Sequence, residues 1–304
     1  LSGEVEDFKT QITFPPKGER KETIDVQGAT QTATVAFTAQ GLSKYSRDKN
    51  AEIDQTVAPV IIDNRTKQVI NPKADGYYVI PGEGKYKVTP NGNNVDIEFT
   101  PEDNFVGTAS GITIRRTDDN GYTTDWVSKD KTLLPSINEV MDSMDGLYIP
   151  TVTPKNIEGI DKTSTDVQGA TQTGTPEFEL EGTNSNGEKV KITPDIDYPA
   201  KLVDPATGQV TDEATVTVAG EGTYTIDQAT GKVTFKPEPG FTGTANGVTV
   251  SLSAPVGRDK DGQVPADAVK TATAKYIPTV TPVTLTPTNK VSEDVQNVPQ
   301  TQTP

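Results

Sequence analysis

Asp25-Val26-Gln27-Gly28-Ala29-Thr30-Gln31-Thr32 is the stretch on which the reading of this chain turns. It returns letter for letter at Asp166-Val167-Gln168-Gly169-Ala170-Thr171-Gln172-Thr173, and a frayed third copy runs Asp294-Val295-Gln296-Asn297-Val298-Pro299-Gln300-Thr301. Outward from it, other words recur in the same order. Gly82-Glu83-Gly84-Lys85-Tyr86 answers Gly220-Glu221-Gly222-Thr223-Tyr224, and Phe105-Val106-Gly107-Thr108-Ala109 answers Phe241-Thr242-Gly243-Thr244-Ala245. Tyr148-Ile149-Pro150-Thr151-Val152-Thr153-Pro154 is repeated from Tyr276 to Pro282. The spacing between copies shrinks from the octapeptide to the Tyr-Ile-Pro word. One duplicated module of roughly 130 residues, longer in its first copy, accounts for all of them.

Composition narrows the class. The 304 residues could form one large domain or two to three ordinary ones, and the duplication settles on two whole modules with cut ends. A module of that size buries an adequate core without staples. Only 32% of the residues are hydrophobic, while Thr, Val, Gly and Pro are abundant, which favours short strands and turns over helices. A formal charge of −15 repels phosphates and anionic headgroups. Neither nucleic acid nor membrane insertion is expected, and like charge keeps copies apart, so a monomer in solution is. The apolar run Val60-Ile61-Ile62 is far too short to span a bilayer. With no signal peptide at the start and a repeat cut at the end, the chain reads as an excerpt of a longer tandem protein.

Strand patterning is cleanest in the second module. Val216 and Val218, Tyr224 and Ile226, Val233 and Phe235, then Val248, Val250 and Leu252 each alternate with polar residues. Period two with one apolar face predicts half-buried antiparallel strands. Asp227 to Lys232 and Asn91-Gly92-Asn93-Asn94 supply hairpin chemistry. The first module repeats the series at Tyr78 and Ile80, Tyr86 and Val88, Ile97 and Phe99, Ile112 and Ile114. This pattern predicts an all-β chain: two tandem immunoglobulin-like β-sandwich modules joined end to end. The first copy also holds Ser136-Ile137-Asn138-Glu139, a capping box, followed by Val140, Met141 and Met144 at helical spacing, which predicts a short inserted helix stopped at Gly146. Pro150 to Pro154 and Pro278 to Pro282 read as stiff extended connectors. The expected divisions are 1–22 (the end of a preceding module or a linker), 23–153 (a divergent first module), 154–282 (the second) and 283–304. The last is the start of a third repeat or a closing segment of the second.

Sites of chemistry are scarce. No cysteine excludes disulfides, thiolate metal sites and cysteine nucleophiles. No histidine removes Ser-His-Asp triads, His-ligated zinc and the usual general base. Glu83 and Glu221 recur between glycines and read as exposed acids on a tight turn. Asp118 and Asp119, with Asp259 and Asp261, are candidate calcium ligands, since hard cations gather carboxylates. Asp-Gly and Asn-Gly are equally hairpin turns, and no Glu stands at the twelfth loop position, so ordinary turns are the preferred reading. Trp126, Met141 and Met144 form a candidate contact patch, against the alternative that they plug the end of their own core. The Gln and Thr side chains of the octapeptide are expected to tie its backbone to a neighbouring strand or turn rather than to form a covalent cross-link. No catalytic residue and no cofactor is expected.

The repeated words also carry a resemblance. The octapeptide, then Val203-Asp204-Pro205-Ala206-Thr207-Gly208-Gln209, Gly222-Thr223-Tyr224-Thr225-Ile226-Asp227, Thr230-Gly231-Lys232-Val233-Thr234-Phe235-Lys236-Pro237 and Phe241-Thr242-Gly243-Thr244-Ala245 lead to Tyr276-Ile277-Pro278-Thr279-Val280-Thr281-Pro282-Val283. In this order they resemble the CshA-type fibril repeat of Gram-positive cell-surface adhesins, across the whole second module. The first module departs from it, with Asp63-Asn64-Arg65-Thr66-Lys67-Gln68 for one word and Thr89-Pro90-Asn91-Gly92 for the hairpin. The resemblance implies a secreted, wall-anchored fibril whose repeats are a non-catalytic stalk. Such a stalk projects an adhesive region for host attachment, coaggregation and biofilm formation, and its partners are adjacent repeats of the same chain. The alternative is that the first module itself binds a host glycoprotein or another bacterial surface protein.

Overall fold

Alternation of apolar and polar residues becomes alternation of buried and exposed side chains along paired strands. In Asn94–Pro101 every second residue is buried, and Gly222–Ile226 and Val233–Pro237 follow the same rhythm. The computed structural model describes residues 13–125 and 144–303, and it is all-β. Among the described residues one helical turn occurs, the 3-10 turn Ala266–Ala268. The helix expected over 136–146 lies outside them except for its last residues, as do Trp126 and Met141. Gly146, expected to stop that helix, is instead the first residue of the strand Gly146–Thr153.

The chain forms two units. Unit 1 comprises Leu1–Ile157, Leu180–Val190 and Ala254–Lys270, and unit 2 comprises Glu158–Glu179, Lys191–Ser253 and Thr271–Pro304. Unit 1 has two main sheets. In one, Gly146–Thr153 lies between Arg20–Val26 on one side and the interrupted strand Gly107–Thr108 and Ile112–Arg115 on the other, with Val60–Asp63 and Val69–Ile70 beyond. The other runs Gln31–Val35, Asn94–Pro101, Gly84–Asn91, Tyr78–Ile80, all antiparallel. Their inner faces share one core that includes Val35, Tyr86, Ile97 and Phe99 from the second sheet with Ile61, Ile112, Ile114 and Tyr148 from the first. That arrangement is a β-sandwich. A separate pair, Thr13–Gly18 with Phe37–Gly41, flanks it.

Unit 2 repeats the plan. Val269–Thr281 pairs with Lys162–Val167, with Gly243–Thr244 and with Val248–Pro255, and Lys201–Leu202 lies beyond. Gln172–Gly174, Val233–Pro237, Gly222–Ile226 and Thr215–Val218 form the second sheet. The hairpin loops fall where turn chemistry places them: Asn91 pairs with Asn94, and Gly231 closes its loop at φ 74°.

The Pro-bounded words correct one expectation. They are not connectors but interior strands, with Tyr148, Pro150 and Val152 buried, and likewise Tyr276, Pro278 and Val280. Proline is tolerated there because the neighbouring strand is interrupted opposite it. Ala109 N donates to Pro150 O at 2.9 Å and Ala245 N to Pro278 O at 3.0 Å, and no regular ladder needs the missing N–H. The interruption is glycine-dependent. At Gly111 (φ 75°) and Gly247 (φ 78°) a Cβ would stand 2.3 Å from the carbonyl oxygen of Tyr148 or Tyr276.

Candidate functional site

The octapeptide is where each unit changes sheets. Arg20–Val26 runs parallel with the closing strand of the first sheet, from Arg20 opposite Leu147 to Val26 opposite Thr153. Lys162–Val167 does the same, from Lys162 opposite Tyr276 to Val167 opposite Thr281. The chain then turns at Gly28 (φ 82°) or Gly169 (φ 83°) and enters the opposite sheet at Gln31 or Gln172. Only a residue tolerant of left-handed backbone fits the turn, and the frayed third copy places Asn297 there at φ 74°. Asp25, Asp166 and Asp294 each accept the following amide at 2.7 Å.

A polar lock forms at this crossing. Thr23 Oγ1 donates to Gln31 Oε1 (2.6 Å) and shares a hydrogen bond with the Tyr148 hydroxyl (2.7 Å), while Gln31 Nε2 donates to Thr151 O (2.9 Å). Unit 2 reproduces it with Ser164, Gln172, Tyr276 and Thr279 O, at 2.6, 2.6 and 2.9 Å. Gln31 and Gln172 are both 4% exposed, so their amides are satisfied by this geometry rather than by water. The expectation that octapeptide side chains tie its backbone to a neighbouring strand is met at these glutamines. The partner hydroxyl eight residues upstream escaped the reading, although the spacing was available. Ser292 and Gln300, at the same spacing, also meet in the third copy. Burial pushes the Tyr148 and Tyr276 hydroxyls above their ordinary range.

The recurring glutamates correct a second expectation. Glu83 is fully buried and Glu221 is 6% exposed. Glu83 accepts Ser110 N (2.9 Å) and Ser110 Oγ (2.5 Å), and Glu221 accepts Asn246 N (2.6 Å) and the Tyr224 hydroxyl (3.2 Å). Each carboxylate thus fastens the Gly-Glu-Gly turn to the loop that interrupts the neighbouring strand. A sequence shows the turn but not the loop that folds over it.

The other candidates stand as follows. Asp118 is buried and accepts Tyr122 N (2.8 Å), and Asp119 accepts Glu52 N (3.2 Å). Asp259 accepts the amides of Asp261 and Gln263 at 2.9 Å, and Asp261 lies 3.1 Å from Lys260 Nζ. The bonds to Asp118 and Asp259 are those of turn residues, whereas the bond to Asp119 ties two distant segments together. Among the described residues no group of three or more His, Cys, Asp or Glu is placed to hold a metal. Met144 is half-buried and its Sδ accepts Gln40 Nε2 at 3.7 Å.

Together these features define a tandem all-β repeat whose recurring polar residues fasten strands to one another. The chain belongs to the surface adhesin CshA repetitive domain family, whose model matches residues 13–127 and 154–280. That family is a surface adhesin repeat and is generally non-catalytic. Among the described residues no helix is long and apolar enough to cross a membrane. No curated protein matches the chain. Solved structures with partial likeness include the titin I9–I11 tandem (10% identity, TM-score 0.26, 88% of this chain and 64% of that one). The sialic acid binding region of a Streptococcus sanguinis SK1 adhesin aligns at 11% identity with TM-score 0.27, over 89% of this chain and 78% of that one. The chain therefore spans slightly less than two thirds of the titin tandem.

Proposed function

We propose that the chain is a structural stalk segment of a wall-anchored fibrillar adhesin, built from immunoglobulin-like modules joined end to end. One observation carries this reading. In each unit the opening strand lies parallel to the closing strand, so the chain comes in at one end of the sheet and goes out at the other. A module with that geometry adds length with every copy, whereas antiparallel terminal strands would bring both termini to one end. Over the seven paired residues of unit 1 the separation is on the order of 20 Å for the strand alone. Membership of a surface adhesin repeat family supports the cell-surface location.

Solution scattering tests it. A single globule of 304 residues has a radius of gyration of about 19 Å. The stalk reading expects a value about half again as large, unchanged as added salt screens the acidic surface. A radius at the globular value would overturn it.

A further inference from the structure

The turn of the first octapeptide is covered within unit 1. Gln27 is 1% exposed; its Nε2 donates to the carbonyls of Asp103 (2.9 Å) and Val256 (2.8 Å), and its Oε1 accepts Lys155 N (3.3 Å). Beside it, Val106 N donates to Arg258 O (3.0 Å) and Arg258 N to Asn104 O (2.8 Å). Gly257 lies so close that a Cβ there would stand 2.7 Å from Asn104 O. Phe105, a member of the unit 1 core, is 1% exposed, and Val106 beside the strip is 0% exposed. The covering strip Val256-Gly257-Arg258 lies in the second matched repeat by sequence, and Gln27 and Phe105 lie in the first.

Unit 2 has the same end built from the same parts. Gln168 N donates to Thr281 O (2.8 Å) as Gln27 N does to Thr153 O (2.7 Å), and Phe241 N donates to Glu238 O (3.1 Å) as Phe105 N does to Glu102 O (3.0 Å). Yet Gln168 and Phe241 are only half-buried, and Thr242, at the place of Val106, is exposed. An amide side chain and an aromatic ring half in water leave donors and apolar area that the first unit uses.

We propose that this end of unit 2 is a docking face whose occupant is a further copy of the repeat, presenting the strip equivalent to Val256-Gly257-Arg258. The chain itself favours that occupant. Beyond Pro282 it carries the opening pattern of another copy, with Ser292 against Gln300, Asp294 against Val295 N, and Asn297 at the turn. The inference rests on the tandem-stalk reading and makes Gln168 the residue that receives the next repeat.

The experiment compares the present chain with one in which a second copy of residues 155–282 follows Pro282, by residue-resolved amide hydrogen exchange. In the present chain the Val106 amide should exchange slowly and the Thr242 amide fast. In the extended chain Thr242 should slow on the order of a hundredfold, and Gln168→Ala should cancel much of that gain. Equal Thr242 exchange in the two chains would overturn the proposal, as would a Val106 amide as fast as Thr242 in the present one. Scattering on the same samples separates the two readings. An extended chain without Thr242 protection sinks the docking face alone, and a compact one with protection sinks the stalk.

Discussion

Glu83 shows how much one side chain carries here. A fully buried carboxylate costs several kcal/mol to desolvate unless its oxygens are hydrogen-bonded, and Ser110 supplies both an amide and a hydroxyl. Glu83→Ala takes away the acceptor of the half-buried Ser110 amide and empties a fully buried site, and unit 1 should lose about 2–4 kcal/mol, read from urea unfolding. A loss under about 0.5 kcal/mol would mean that the turn and loop hold together without it. Asp118 makes the complementary case. Burial pushes its carboxyl above the ordinary range, opposed by the bond from Tyr122 N. An acid that holds its proton more tightly folded than unfolded adds stability below its unfolded pKa and loses it as pH rises through the folded value. Asp118→Asn removes that dependence, so the variant's stability relative to the parent should rise between pH 3 and pH 7. Melts at the two pH values check the sign, and a relative stability that falls with pH would contradict it.

At the scale of elements, the parallel pairing of opening and closing strands has a mechanical consequence. Tension applied through the two ends of a unit pulls Lys162–Val167 and Val269–Thr281 in opposite directions along their length, so their hydrogen bonds are loaded together rather than one at a time. Gln172 reinforces the pair from the opposite sheet by donating to Thr279 O while accepting from Ser164. Gln172→Ala should therefore raise the unfolding rate at fixed force about three- to thirtyfold, the range expected from losing one or two buried hydrogen bonds. Single-molecule pulling on the full chain measures it, with unit 1 as an internal standard. An unchanged rate would show that the lock plays no part in the force-bearing step.

The molecule as a whole combines acidity, repetition and a sequence without cysteine or histidine. The hydrogen bonds between its strands include the hydroxyl–amide pairs Thr23–Gln31 and Ser164–Gln172. Intact-protein mass spectrometry should return the mass of the plain sequence. A molecule lighter by one ammonia per pair would reveal an ester in place of the lock.

The repeat, the all-β class, the alternating strands and their hairpins were determined by the sequence alone, because each depends on neighbours a few residues apart: Tyr224 with Ile226, Gly231 at its turn. What the tertiary structure decided is non-local. Pro150 and Pro278 look like marks of a linker until an interrupted strand is found opposite them. Glu83 looks exposed until the loop at Ser110 folds over it, and Gln27 and Gln168, identical in sequence, differ in burial because only one of them is covered. Local propensity sets which residues can form a strand or a turn. Partner and burial depend on contacts between residues tens to hundreds of positions apart, which no short word of sequence contains.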